Sequence, residues 1–372
     1  MGLSVSYRAD TTLDIAWNEV TGAIGDSVTV LPILVGVAVL TDLSLGLMLV
    51  WFGVFQIVWG LYYGVPVSVE PMKALAALVL AGAISTGELL LAGLLLGVVL
   101  LGIGSTGTLS RIERYIGRPV VRGVQFGVAL VLLETGVRLS VADLGLATLA
   151  GGVAFLLVAL GYYNLTALAV LAVGGVVAGV QVGVPEPTLP ALGSVMLVGG
   201  VTPTMPTVEA ALAQLAMTVG NAALAASVLL QDYFDRDISA DALSNSMGVM
   251  NLAALPFGAF PMCHGSGGIA GKYAFGARTA GANVVLGIVY LALSVFAVGL
   301  VAAYPTAMLG VILVLIAVQL GRTSIREADA TVLVVAIGVL GVAVNLGVAF
   351  LVGIVASLAL QHHDGTLIPD RW

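Results

Sequence analysis

The stretch PMCHGSGGIAGKYAFGARTAG, Pro261 to Gly281, decides how the rest of the chain is read. It sets a cysteine, a histidine, a lysine, an arginine and six glycines in an otherwise oily sequence. Polar groups at that density are tolerated at membrane depth only where they are buried in protein or line a cavity. A helix starting after Pro261 would aim the free amides of Met262 to Gly265, and its positive dipole end, at whatever lies in front of it. Such an end is a ready anion site.

Outward from that stretch the chain is a membrane protein by composition. At 372 residues, 60% hydrophobic, 9% charged and mean hydropathy +1.13, it is excluded from the soluble domains. Thr279 to Gly321 holds no charged residue. At about 1.5 Å per residue this run is roughly twice the length of a bilayer crossing, and Tyr304-Pro305 is its natural break. The first twenty residues carry Arg8, Asp10, Asp14 and Glu19 and no apolar run, so no cleavable signal peptide is expected. The single cysteine, Cys263, excludes an internal disulfide framework and a Cys-rich metal site. No metal-ligand cluster or catalytic triad stands out, and His362-His363 reads as a solvated pair in the tail. No cofactor, enzyme activity or nucleic-acid partner is expected.

Basic residues are eleven arginines and two lysines, against a pI near 4.8. With Asp232, Asp235, Asp237 and Asp241 in one loop, that balance suits either a salt-adapted cytoplasm or a GC-rich codon bias.

The hydropathy pattern predicts an all-α polytopic protein of about fourteen segments. Their approximate ranges are 20–40, 43–63, 71–84, 88–105, 119–137, 143–161, 165–183, 207–230, 240–255, 262–277, 281–302, 305–320, 329–344 and 346–361. The third and tenth are half-helices, each entered through an extended stretch, Val65 to Val69 and Pro256 to Phe260. Arg111, Arg114, Arg118, Arg122, Arg236, Arg278, Arg322, Arg326, Arg371 and Arg8 fall on one side, and only Arg138 on the other. The positive-inside rule then places the protein in the cell membrane with both termini cytoplasmic.

The halves repeat: Gly25-Asp26 matches Gly220-Asn221, Pro71-Met72 matches Pro261-Met262, and Pro119 matches Pro305. Seven segments per half is odd, so the copies insert with opposite topology, the inverted-repeat plan of secondary transporters. The expected organisation is a cytoplasmic N-terminus (1–19), a first repeat (20–185), an external connection (186–206), a second repeat (207–361) and a cytoplasmic tail (362–372). Segments 1–4 and 8–11 would form a core, and segments 5–7 and 12–14 a gate.

GAIGDSVTVLPI (Gly22 to Ile33), PVSVEPMKALAA (Pro66 to Ala77), QLAMTVGNA (Gln214 to Ala222) and the CHGSGGIA run resemble the molybdate-transporter branch of the sulfate-permease superfamily. The resemblance covers nearly the whole membrane domain. It implies two inverted seven-helix repeats divided into core and gate, a fold shared with uracil permeases, and transport of molybdate or a related tetrahedral oxyanion. Glu70 departs from the family's usual Gln, Lys272 stands where Gln is frequent, and with residues 362–372 after the last segment the regulatory domain that sulfate permeases append is not expected.

The residues support an oxyanion site on their own chemistry. A tetrahedral dianion needs fixed donors and positive potential, which two opposed helix starts, after Pro71 and Pro261, supply together. Expected contacts are Met72, Lys73, Cys263, His264, Gly265, Ser266 and Asn221. Lys73 and Lys272 are the only lysines in the chain. Lys73, in the first turn of its half-helix, opposes the dipole and should be held by Asp26, Glu70 or the substrate. Lys272 either serves the site or snorkels to the cytoplasmic face. His264 either meets the anion or a proton, or bonds a neighbouring backbone group, and Cys263 reads as a small packing residue. Gln214, Lys272 and Arg278 are secondary candidates, and Glu134 is an acid near the external end of segment five.

The expected function is secondary-active import of molybdate, with sulfate or tungstate next. A nucleobase permease on the same fold is the alternative, and a passive anion channel or intramembrane enzyme the different class. Buried carboxylates take protons readily because desolvation penalises their charged form, so Asp26, Glu70 and His264 are the candidates for proton coupling. Sodium coupling stays open on the acidic composition. The other partners are membrane lipid and, as an open option, a second copy of the chain in a homodimer.

Overall fold

The computed structural model describes residues 13–109, 111, 116–183, 185–190 and 203–364, with side chains to residue 360. The readings made on Arg8, Asp10, Arg114, most of the 186–206 connection, the His362-His363 side chains and Arg371 lie outside the described residues.

Apolar runs bounded by caps give helices in this order: α1 (Trp17–Leu40), α2 (Leu45–Tyr63), α3 (Lys73–Leu80), α4 (Thr86–Thr106), α5 (Arg118–Ser140), α6 (Leu144–Ala159) and α7 (Thr166–Val182). The second half follows with α8 (Met205–Phe234), α9 (Ala240–Ala254), α10 (Ser266–Ala274), α11 (Gly281–Phe296), α12 (Thr306–Arg326), α13 (Thr331–Ala343) and α14 (Leu346–Asp364). Two short strands, β1 (Glu70–Pro71) and β2 (Met262–Cys263), precede α3 and α10. Local chemistry sets several of these ends. Ser44 caps α2 and Gly64, at φ 71°, closes it, while Ser85 and Glu88 form a capping box on α4. Across the fold, the buried carboxylate of Glu19 accepts from the amides of Arg278, Thr279 and Ala282 at 2.9 to 3.2 Å and so ties α1 to the start of α11.

Among the described residues, seven helices are long and apolar enough to cross a membrane: α1, α2, α4, α5, α7 with the 3₁₀ turn before it, α8 and α12. Four further apolar helices, α6, α11, α13 and α14, are shorter. Segment eleven stops as an α-helix at Phe296 rather than near 302; the chain goes on through a 3₁₀ turn, Val298–Ala303, and Tyr304, the residue before Pro305, is extended.

Packing respects an exchange of the two halves. α2 lies along α11 as α9 lies along α4, α1 meets half-helix α10 as α8 meets half-helix α3, and α5 pairs with its own counterpart α12. The crossings are backbone-close. A Cβ on Gly53 would lie 2.8 Å from the Gly287 carbonyl in the α2–α11 pair, and one on Gly136 2.7 Å from the Gly310 carbonyl in the α5–α12 pair. Small residues at such crossings let helices gain van der Waals contact where lipid gives no hydrophobic drive between them.

The half-helices are shorter than the pattern suggests. α3 spans Lys73–Leu80 instead of 71–84, and α10 spans Ser266–Ala274 instead of 262–277. The reason is the strand pair: Glu70 sits opposite Cys263 and Pro71 opposite Met262, antiparallel, so Met262 and Cys263 are held in extended backbone and cannot open a helix. Only the second part of the extended lead-in to α10 exists as expected, since Leu255–Phe257 form a 3₁₀ turn closed by Gly258 at φ 84°. Two helices that leave an antiparallel pair run in opposite directions, with their starts brought together at the pair.

Candidate functional site

The two half-helix starts meet on the floor of a cavity of about 590 Å³. Glu70 and Lys73 from the β1–α3 junction, Ser266 and Gly267 from α10, and Asn221 from α8 line its depth; Arg118, Arg122 and Gln125 of α5 and Gln319 and Glu327 near the end of α12 line its wall and mouth. Asn221 reaches the floor from a π-helical stretch of α8, Thr218–Ala225. Such a bulge re-aims a side chain that a regular helix would point elsewhere.

Lys73 is paired with Glu70 and is 14% exposed, whereas the carboxylate is fully buried. The cation that opposes the α3 dipole is therefore held by its neighbour three residues back. That carboxylate also lies against the first turn of α10: a Cβ on Gly265 or Gly268 would collide with it, and one on Gly267 would sit 4.0 Å from its Oε1. Glycine at 265 and 268 is what admits an anionic group to the helix start. Ser266 Oγ donates to Asn221 Oδ1 across the floor. On the wall, Arg122 pairs with Glu327 and donates to Gln125 Oε1 at 2.9 Å, and Arg118 lies 3.8 Å from Asp329.

Other sequence candidates do not line the cavity. The Met72 amide donates to the Pro261 carbonyl at 2.9 Å, so strand pairing has consumed it, and the side chain is fully buried. Cys263 is buried in β2. His264 is buried with Nδ1 2.7 Å from the Ser68 carbonyl and Nε2 2.7 Å from Ser246 Oγ. A carbonyl only accepts, so Nδ1 carries a proton toward Ser68, while Nε2 faces a Ser246 hydroxyl that also lies 2.9 Å from the Leu243 carbonyl. Gln214 turns its Oε1 to the Ala74 amide at 2.9 Å and so occupies part of the α3 start. Arg278 caps the α10 end, donating to the Tyr273 and Ala277 carbonyls and stacking 3.9 Å over the Tyr273 ring. Glu134 is exposed on α5.

Lys272 does not snorkel. It is fully buried, 3.1 Å from the equally buried Asp26. Ser68 Oγ then bridges toward the cavity, donating to Asp26 Oδ1 at 2.6 Å with Glu70 Oε1 3.5 Å away. The side chains of Asp26, Glu70, Lys73 and Lys272 are thus joined in one network through Ser68. Arg118, Arg122 and Gln125, which line the cavity, and Gln56 and Asn283, buried around Lys272, are candidates that the sequence reading passed over. Gln56 and Asn283 carried a signal, as lone polar groups in apolar segments. The two arginines counted only toward orientation.

The chain matches the family described as "Molybdate transporter of MFS superfamily" in two stretches, residues 18–132 and 206–320, one in each half. Molybdate transporter 2 of Arabidopsis thaliana is 27% identical, with 82% of this chain and 78% of that protein covered. Molybdate transporter 1 of the same plant is 28% identical over 90% of this chain and 86% of its own. Molybdate transporter 1 of Chlamydomonas reinhardtii is 24% identical over 98% and 95%. Among solved structures, the transmembrane domain of the cyanobacterial bicarbonate transporter BicA superposes with TM-score 0.68 at 17% identity, covering 90% of this chain and 97% of that one. The murine Solute Carrier 26 family member A9 anion transporter gives TM-score 0.66 at 12% identity over 94% and 69%. Both are SulP-type folds. Crossed half-helices on an antiparallel strand pair are also unlike the parallel repeats that relate the two halves of a major facilitator. The chain belongs to the molybdate transporter family, a family of membrane anion transporters rather than enzymes, and it carries the fold of the SulP and Solute Carrier 26 proteins.

Proposed function

We propose that the protein imports molybdate, or a closely related tetrahedral oxyanion, across the cell membrane by alternating access coupled to protons. The observation that carries this reading is the Glu70–Lys73 pair at the meeting of the two half-helix starts. With Glu70 ionised, a carboxylate already stands against the α10 start and holds the one ammonium that lines the cavity floor. A proton on Glu70 ends that pairing and leaves Lys73, Ser266, Asn221 and the helix dipoles facing the cavity, where an oxyanion can take them. Proton and anion then bind together because each removes the obstacle to the other.

The energetics require such coupling. Moving a dianion into a cell negative inside costs about 4.6 kcal/mol per 100 mV, at about 2.3 kcal/mol per charge. Asp26 and His264 hold fixed partners, which leaves Glu70 as one proton carrier; its proton offsets one of the two charges, and a second cation must enter with the anion for electroneutral uptake. The arginine-bearing ends of α5, α8, α10 and α12 surround the cavity mouth, in keeping with an opening to the cytoplasm and cytoplasmic termini. For the moving parts we adopt a core of α1–α4 and α8–α11 and a gate of α5–α7 and α12–α14. In support, the most extensive packing falls within each set, α2–α11 and α4–α9 in one, α5–α12 and α5–α13 in the other, and the cavity lies between them.

The test is equilibrium binding of molybdate, tungstate, sulfate and uracil to purified protein at several pH values. Oxyanions should bind and uracil should not, with affinity rising as pH falls. Uracil binding without oxyanion binding, or affinity indifferent to pH, would overturn the reading.

A further inference from the structure

The Lys272 ammonium is enclosed by four oxygens: the Val67 carbonyl at 2.7 Å, Gln56 Oε1 at 2.9 Å, Asn283 Oδ1 at 3.0 Å and Asp26 Oδ2 at 3.1 Å. An ammonium has three N–H bonds, so it cannot direct one at each of four oxygens. A carboxylate, a backbone carbonyl and two amide oxygens, all without access to solvent, are the donor set with which proteins hold a hard metal cation.

The surroundings fix these oxygens inward. Asn283 Nδ2 donates to the Gln56 carbonyl at 3.0 Å and to the Val67 carbonyl at 2.7 Å. Both partners only accept, so the amide cannot be reversed and its oxygen must face the ammonium. Gln56 Nε2 donates to Asp26 Oδ2 at 2.7 Å and to the Val69 carbonyl at 3.2 Å, which orients its oxygen in the same way. Ser68 Oγ holds the other oxygen of Asp26. A shell that orients every ligand by a second bond is how proteins build a cation site, whereas a salt bridge needs only two groups.

We propose that this cradle is a monovalent-cation site permanently filled by the tethered ammonium of Lys272, so that the protein takes neither sodium nor potassium there. On the transport reading above, Asp26 then needs no exchangeable cation and sodium drops out of the coupling at this position. The cradle is defined by its own geometry, and its test needs no oxyanion.

Thermal unfolding of the purified protein in sodium, potassium and choline chloride, without oxyanion, decides the matter. The parent should melt at one temperature in all three. Lys272→Ala, which empties the cradle and leaves Asp26 charged, should melt lower in choline and recover by several degrees in sodium or potassium, saturating with concentration. Lys272→Met fills the space with an apolar chain and should not recover in any salt. Lys272→Ala combined with Asp26→Asn keeps the space without the charge, and its response should vanish. Specific stabilisation of the parent by sodium or potassium would overturn the inference. So would a Lys272→Ala protein that is indifferent to the alkali cations or fails to fold in all of them. Loss of molybdate binding with this pattern intact would sink the proposed cargo and leave the cradle standing.

Discussion

The chain's two lysines sit in equivalent halves of one buried network and live under opposite conditions. Lys73 has one carboxylate partner, borders a cavity and keeps 14% of its side chain exposed. Lys272 has four oxygen neighbours and no exposure. An ion pair with an open side can exchange its partner for a substrate, because the incoming anion replaces the carboxylate at small cost in desolvation. A pair sealed on all sides cannot, since breaking it strands a charge in apolar surroundings. The proposed transport cycle therefore uses the open pair and leaves the sealed one intact.

The largest effect should come from breaking the sealed pair. Lys272→Met leaves Asp26 buried without its cation and should cost about 3–5 kcal/mol of stability, read by unfolding in detergent. Near-parental stability would mean that water reaches Asp26, and the contrast between the lysines would collapse. At the open pair the loss should fall on binding instead. Lys73→Gln removes a charge-assisted contact of about 1.5–3 kcal/mol and should weaken molybdate binding by roughly 10- to 100-fold, with a smaller fall in melting temperature than Lys272→Met because Glu70, unlike Asp26, borders the cavity. Equal binding losses at Lys73 and Lys272 in folded proteins would show that the substrate does not distinguish them.

The contrast was only half legible in the sequence. Pro71 and Pro261 mark both half-helices, and the matched Gly25-Asp26 and Gly220-Asn221 place the halves in register, because these are local backbone signals. The strand pair that delays α10 to Ser266 was hidden, since pairing of Glu70 with Cys263 depends on residues far apart in the chain. The same distance hid the fate of Lys272. Its spacing along α10 fits snorkelling, and only the arrival of Asp26, Gln56 and Asn283 from three other helices and of Val67 from the stretch before β1 seals it. Asn221 was legible as a polar residue of segment eight, but its aim into the cavity comes from a π-helical bulge that no composition rule anticipates.

Glu70 sharpens the comparison through pH. If the free site holds the carboxylate ionised and the anion-bound site holds it protonated, binding takes up one proton. Affinity then rises as pH falls, by at most about tenfold per pH unit. Glu70→Gln fixes the neutral form, so binding should become flat across the same range and uptake into proteoliposomes should lose its response to a pH gradient. A variant that keeps the parental slope would clear Glu70 of proton carriage.

The smallest effect is expected at the floor. Ser266 Oγ and Asn221 Oδ1 share one hydrogen bond between the α10 start and the α8 bulge, and both side chains line the cavity. Neither carries charge, so Ser266→Ala or Asn221→Ala should each remove about 0.5–1.5 kcal/mol of binding, roughly 2- to 10-fold in affinity. Because the two residues hold each other, the double variant should lose less than the two single losses added together. Strict additivity would mean that each touches the anion independently and that their mutual bond gives way on binding. A loss at Asn221 as large as that of Lys73→Gln would move the centre of recognition from the ammonium to the bulge of α8, and the two lysines would cease to be the pair that matters.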